Sequence, residues 1–184
     1  MCLVRRMKRV LLAAALSVGI ASAHAQYSLI KSADGVLVVS EVPGRKYSVD
    51  VPGSEIVPYG LKQADHLYLA ADKRMLQSMS VPLAEFHADA KASDDTILRK
   101  QMEYEIAYTR VPRNIVTTQR RKLASGRTAL LWSFPPGTEI KRQVNLTFRS
   151  GSYVVALVGA VDDSHSAADI ERFLTRIANS FHAK

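Results

Sequence analysis

The chain has 184 residues, with 25 Lys and Arg against 17 Asp and Glu, a formal charge of +8, and 47% apolar residues. This is ordinary globular composition, and it excludes a disordered chain, a collagen and a disulfide-rich miniprotein. One long apolar run exists, at the start, which excludes a polytopic membrane protein.

Residues 1–25, MCLVRRMKRVLLAAALSVGIASAHA, predict a Sec-type signal peptide. Arg5, Arg6, Lys8 and Arg9 form its basic start. Residues 10–20 form an apolar run shorter than the roughly 20 residues that span a bilayer. Ala23-His24-Ala25 fits an A-x-A site, which places cleavage between Ala25 and Gln26, with cleavage after Ala23 as the second option. The other reading of the segment is a retained membrane anchor. The leader predicts a periplasmic or secreted protein of bacterial type. Its removal takes four of the 25 basic residues and none of the 17 acidic ones, which leaves a charge of +4. Nucleic acid is therefore not the expected partner. Cys2, the single cysteine, leaves with it, so neither a disulfide-linked partner nor a Cys-ligated metal is expected. No linker or repeat divides residues 26–184, which are expected to form a single α+β domain.

In chain order, residues 27–31 read as a strand and Asp34-Gly35 as a hairpin turn into a return strand over 36–42. Residues 46–51 alternate, with Tyr47, Val49 and Val51 on one face, and Pro52-Gly53 ends them. Residues 54–64 read as loop. Leu67, Leu69 and Ala71 mark another strand, and 75–81 a further one stopped by Pro82. Asp94 reads as the cap of a helix to about Thr109, with Arg99 and Glu103 paired at i,i+4. Pro112 closes that region. Four strands are expected over 115–123, 128–134, 142–149 and 152–161, joined pairwise by Ser125-Gly126 and Ser150-Gly151. Residues 153–161, YVVALVGAV, are apolar on both faces, as a central strand covered on both sides must be. The last element is a helix over 166–181, opened by a capping box at Ser166 and Asp169 and striped by Ile170, Phe173, Leu174, Ile177 and Phe181. Runs of strands with few helices argue an antiparallel β-sheet with helices packed on it.

Three stretches resemble the PsbP-like fold group. They are Tyr47-Ser48-Val49-Asp50-Val51-Pro52, then Gly126-Arg127-Thr128-Ala129 leading into Leu131-Trp132, then the terminal Arg172-Phe173-Leu174-Thr175-Arg176-Ile177-Ala178-Asn179-Ser180-Phe181. The tryptophan often found after the early proline in that group is replaced here by Gly53-Ser54-Glu55. The resemblance implies an α/β/α sandwich around an antiparallel sheet. It also implies a non-enzymatic role as a chaperone, assembly factor or accessory subunit that binds other proteins. The group offers no catalytic residues to carry over.

The residues themselves point the same way. His87-Ala88-Asp89 is the nearest approach to a metal pair, and without further ligands it reads as solvated loop. Asp162-Asp163-Ser164-His165-Ser166 holds acid, imidazole and hydroxyl, but at a helix start these are capping groups before they are a triad. Asp94 and Asp95 suit a helix N-terminus, and Glu103 and Glu105 lie about 200° apart on a helix. Trp132, Phe134, Phe148 and Tyr153 read as core, and the Asn145-Leu146-Thr147 sequon as strand. No catalytic, metal or cofactor residue is therefore assigned, and no cofactor is expected.

The basic residues are the informative surface feature. Arg113, Arg120, Arg121, Lys122, Arg127 and Arg142 form the candidate partner-binding patch, with Arg110 and Lys141 nearby. At the end of a hairpin they would meet an acidic protein, or make peripheral contact with an anionic membrane. The competing reading is a charged edge that blocks sheet-to-sheet aggregation. The expectation is an exported, non-enzymatic binding or accessory protein, an immunity-like role being one version. The alternative is a small-ligand carrier or cryptic enzyme of the cell envelope, with His66, Tyr68 and Tyr104 converging on a pocket.

Overall fold

The computed structural model describes residues 27–58, 66–136 and 140–184. The elements are β1 (Tyr27–Ser32), β2 (Gly35–Ser40), β3 (Tyr47–Pro52), β4 (Ile56–Pro58), β5 (His66–Ala71), β6 (Arg74–Pro82), α1 (Asp94–Thr109), a 3-10 turn at Arg113–Ile115, β7 (Thr117–Lys122), β8 (Thr128–Phe134), β9 (Arg142–Ser150), β10 (Tyr153–Val161), α2 (Ala167–Asn179) and β11 (His182–Ala183). The signal peptide read over residues 1–25, and its cleavage at Ala25 and Gln26, lie outside the described residues.

The fold is α+β, with two helices on two antiparallel sheets. The larger sheet runs β4-β5-β6-β10-β9-β8-β7 and the smaller one β1-β2-β3-β11. Strand β10 lies at the middle of the larger sheet, and all nine of its residues are buried. Its odd-numbered residues Tyr153, Val155, Leu157 and Val161 enter one core with Leu76, Leu146, Phe148 and the apolar stripe of α2. On the other face Val154 joins Val81, Leu130, Trp132, Phe134 and the α1 residues Ile97, Leu98, Met102 and Ile106. The two-sided apolar pattern of 153–161 is thus satisfied by a helix on each face.

The smaller sheet shares the α2-side core. Val38, Tyr47, Val49 and Val51 pack there. Tyr47 is fully buried, stacks on Phe181 at 5.5 Å between ring centroids, and shares a 2.9 Å hydrogen bond with the Ser78 hydroxyl. Phe181 also meets Phe148 edge-on at 5.0 Å. That is a favoured aromatic arrangement.

Local chemistry explains the element ends. Ser166 and Asp169 form the capping box in both directions, as expected. At α1 the cap is Ser93, one residue before the expected Asp94, because its hydroxyl accepts from the Thr96 amide at 3.2 Å. Asp94 is then free to meet Arg149 at 3.4 Å across the loop. Arg99 pairs with Asp95 rather than with Glu103. Asp95 precedes it on the helix, and Glu103 is held instead by Arg113.

Other boundaries also differ from the sequence reading. Ile56–Pro58, expected as loop, pairs with Leu69–Ala71 of β5; three residues are too few to show a strand period. The 3-10 turn removes Ile115 from β7, which starts at Thr117. The last helix stops at Asn179, and His182 and Ala183 pair with Ser48 and Tyr47. Phe181 leaves the helix so that it can fill the space between the sheets. The first hairpin turns through Ala33 and Asp34, with Gly35 opening β2. A Cβ at Gly35 would lie 2.1 Å from the Val51 carbonyl oxygen, so glycine is needed for that close approach.

Glycine is needed again at Gly159 on β10. A Cβ there would come within 2.6 Å of Ile170 on α2. Gly159→Ala should push α2 off the sheet and cost about 1–3 kcal/mol of stability. Urea denaturation checks this, and an unchanged midpoint would contradict the close α2–β10 packing.

Candidate functional site

The predicted basic residues lie on and around β7. This strand, TTQRRK, is the last of the larger sheet, and all six of its residues are exposed. It pairs with β8 on one side, from Thr117↔Ser133 to Lys122↔Thr128, and among the described residues no strand pairs with its other side. The turn that follows puts Gly126 at φ 78°, where a side chain would be strained.

The structure gathers four of the six residues at this turn. Arg121 points toward α2 and pairs with Glu171 at 3.4 Å. Lys122 donates to the Gly126 carbonyl at 3.3 Å and to the Thr128 hydroxyl at 3.2 Å. Arg127 lies over the Phe181 ring, 4.9 Å from its centroid, in a cation–π contact. Arg120 alternates to the opposite face from Arg121, and its side chain has no hydrogen bond or ion pair among the described residues. The other two residues sit at the far end of β7, about 17 Å away by strand rise. Arg113 pairs with Glu103. Arg142 donates to the Ser133 hydroxyl at 3.0 Å, beside Thr117. Nearness in sequence had merged two separate clusters.

A second charged region was not visible in the sequence. An open groove of about 740 Å³ lies between α2, the β1–β2 turn, the end of β3 and the β5–β6 turn. Asp34, Asp72, Arg74, Asp169, Arg172 and Arg176 carry its charges. Arg74 stacks on Phe173 at 4.7 Å and pairs with Asp72 at 3.2 Å. Asp72 also accepts from the Ser54 amide and hydroxyl and the Glu55 amide, at 2.7–2.8 Å. Those bonds, the Glu55 amide first, hold its carboxyl below the usual range. Asp169 is lowered too, chiefly by the Ser166 hydroxyl of the capping box. Its other oxygen takes Arg172. The i,i+4 spacing of Arg172 and Arg176 is legible in sequence; that they line one groove with Arg74 is not.

The other candidates have structural occupations. Asp162 accepts from the Ser164 and His165 amides at 2.8 Å and contacts His165 Nδ1 at 3.1 Å, forming the turn before the capped helix. The Asp89 carboxylate accepts from the Lys91 amide. Tyr68 and Tyr104 do not converge. Tyr68 is on β5, while α1, which carries Tyr104, packs over β8 and β9. Three strands separate β5 from β8, so those two strands stand about 19 Å apart, and Tyr104 lies beside Glu85 and Phe86 in the segment after β6. Tyr68 accepts from Gln77, and Tyr104 donates to Glu85. The side chain of His66 lies outside the described residues.

No family model and no curated protein matches the sequence. Among solved structures the chain is similar to cyanobacterial PsbP (CyanoP) from Synechocystis sp. PCC 6803, with a TM-score of 0.49 and 11% identity, over 92% of this chain and 98% of that one. It is also similar to a crystal structure from Bacteroides thetaiotaomicron VPI-5482, with a TM-score of 0.41 and 7% identity, over 75% of this chain and 45% of that one. The first of these two structures bears the name of the group that the three sequence stretches resemble.

One acidic group under α1 gives a measurable signature. Burial, and then the nearby Glu85 charge, push the Glu105 carboxyl from 4.5 up to about 7, against a hydrogen bond from Gln101. Between those values the folded protein holds a proton that the unfolded chain has lost. Stability should therefore fall as pH rises through this window and stay lower above it. Glu105 keeps some contact with water, so the expected loss from about pH 5 to about pH 8 is on the order of 1–2 kcal/mol. Denaturation at several pH values should show this slope, and Glu105→Gln should flatten it. An unchanged slope in that variant would assign the dependence elsewhere.

Proposed function

We propose that the protein is an exported, non-catalytic binding protein of the bacterial envelope that holds an acidic protein partner along β7. The observation that carries this reading is the strand itself. It combines an open backbone edge with exposed Arg120, Arg121 and Lys122. An open edge can accept a partner strand, and the arginines favour a negatively charged one. The leader-like residues 1–25 support export to the periplasm or the medium. The accessory role implied by the sequence resemblance is of the same kind.

The test is affinity capture of the full chain, tagged at its C-terminus and expressed in a bacterium with a periplasm, after cross-linking. The expected result is one dominant acidic partner, lost at high salt. Arg120→Glu breaks no side-chain hydrogen bond or ion pair among the described residues. It should weaken that partner's binding about tenfold, chiefly through association rate. The triple reversal Arg120→Glu, Arg121→Glu, Lys122→Glu should abolish it. Full binding by a folded triple variant, or no specific partner in repeated captures, would overturn the proposal.

A further inference from the structure

We infer that the groove beside α2 is a second site, which binds a small ligand through one oxyanion head, carboxylate or phosphate, held by the guanidinium groups of Arg74, Arg172 and Arg176. The groove's volume, about 740 Å³, falls in the range of small-molecule sites. Its charge looks balanced by residue type, with three arginines and three aspartates. It is not balanced in available hydrogen bonding. Asp72 already accepts from Ser54, Glu55 and Arg74. Asp169 accepts from Ser166 and Arg172. Their acceptor capacity is largely spent on the fold. Each arginine carries five N–H donors, and the contacts named here use one from Arg74 and one from Arg172. The Arg176 side chain makes no hydrogen bond or ion pair among the described residues.

The three cations are also arranged for a shared ligand. Arg172 and Arg176 are four residues apart on one helix face, where like charges repel. An anion between them removes that repulsion. Arg74 opens β6, just after the β5–β6 turn, and is fixed from below by the Phe173 ring, itself buried. Stacking occupies the face of a guanidinium and leaves its edge N–H groups free to form a fork with an oxyanion. Asp34, on the β1–β2 turn, is the acidic wall of the groove. It disfavours a second negative charge at that end. The site therefore suits a ligand with one oxyanion head and a neutral or cationic remainder.

The experiment is an amide and arginine Nε–H NMR titration of the purified protein with inorganic phosphate and, separately, with γ-aminobutyrate, each against chloride at equal ionic strength. The expected result is saturable shifts at Gly53, Ser54, Asp72 and Phe173 with at least one of the two, and the tighter binder identifies phosphate or carboxylate as the head group. Arg176→Gln, which breaks no side-chain hydrogen bond or ion pair among the described residues, should weaken that binding about tenfold. Arg120→Gln, on the distant β7 edge, should leave it unchanged. Shifts no larger than those with chloride, or equal binding by Arg176→Gln, would overturn the inference. Partner capture by Arg176→Gln separates this outcome from that of the β7 proposal, since each variant alters one surface.

Discussion

Strand β10 must be covered on both faces, and the rest of the architecture answers that requirement. Its nine residues are buried at the centre of a seven-stranded sheet. A sheet with one solvated face would expose half of them, at about 2 kcal/mol for each large apolar side chain. Helix α1 covers one face. Helix α2 and the smaller sheet together cover the other. Gly159 marks a close approach of the two, because α2 comes near enough to β10 there to exclude a Cβ.

The α2 side is the more constrained of the two. Phe181 leaves the helix and is gripped by Tyr47, Phe148 and Arg127. The two residues after it extend the smaller sheet. The end of the chain thus ties the two sheets together, through aromatic packing and a short ladder. The capping box at the other end of α2 serves two purposes. It closes the helix start and fixes Asp169, which in turn holds Arg172 at the groove. The groove's charges are arranged by groups whose first task is to hold the fold.

The surface charge is therefore of two kinds. On β7 the arginines stand on an edge strand, where charge prevents unwanted pairing and can still select an acidic partner. In the groove, arginines from two elements face a concave surface. The first arrangement suits a macromolecule and the second a small anion.

Local pattern sufficed for much of this. The doubly apolar 153–161 run, the Ser166–Asp169 box and the stripe of α2 are decided by residues within one or two turns or one strand, so they are legible without a structure. So was the basic character of β7. The division of the strands into two sheets, the short β4 and β11, and the departure of Phe181 from its helix depended on partners far along the chain. The same holds for the sites. Arg113 is close to the β7 arginines in sequence yet lies at the other end of the strand, because an extended chain carries neighbours apart at about 3.4 Å per residue, and Arg142 reaches that far end from β9. Arg74 and Arg172 are far apart in sequence yet share a groove, because the docking of α2 on the sheet brings the β5–β6 turn to its flank. Periodicity and capping are properties of neighbouring residues, and the sequence alone determines them. A concave site is a property of surfaces brought together by burial, and only the tertiary structure decides it.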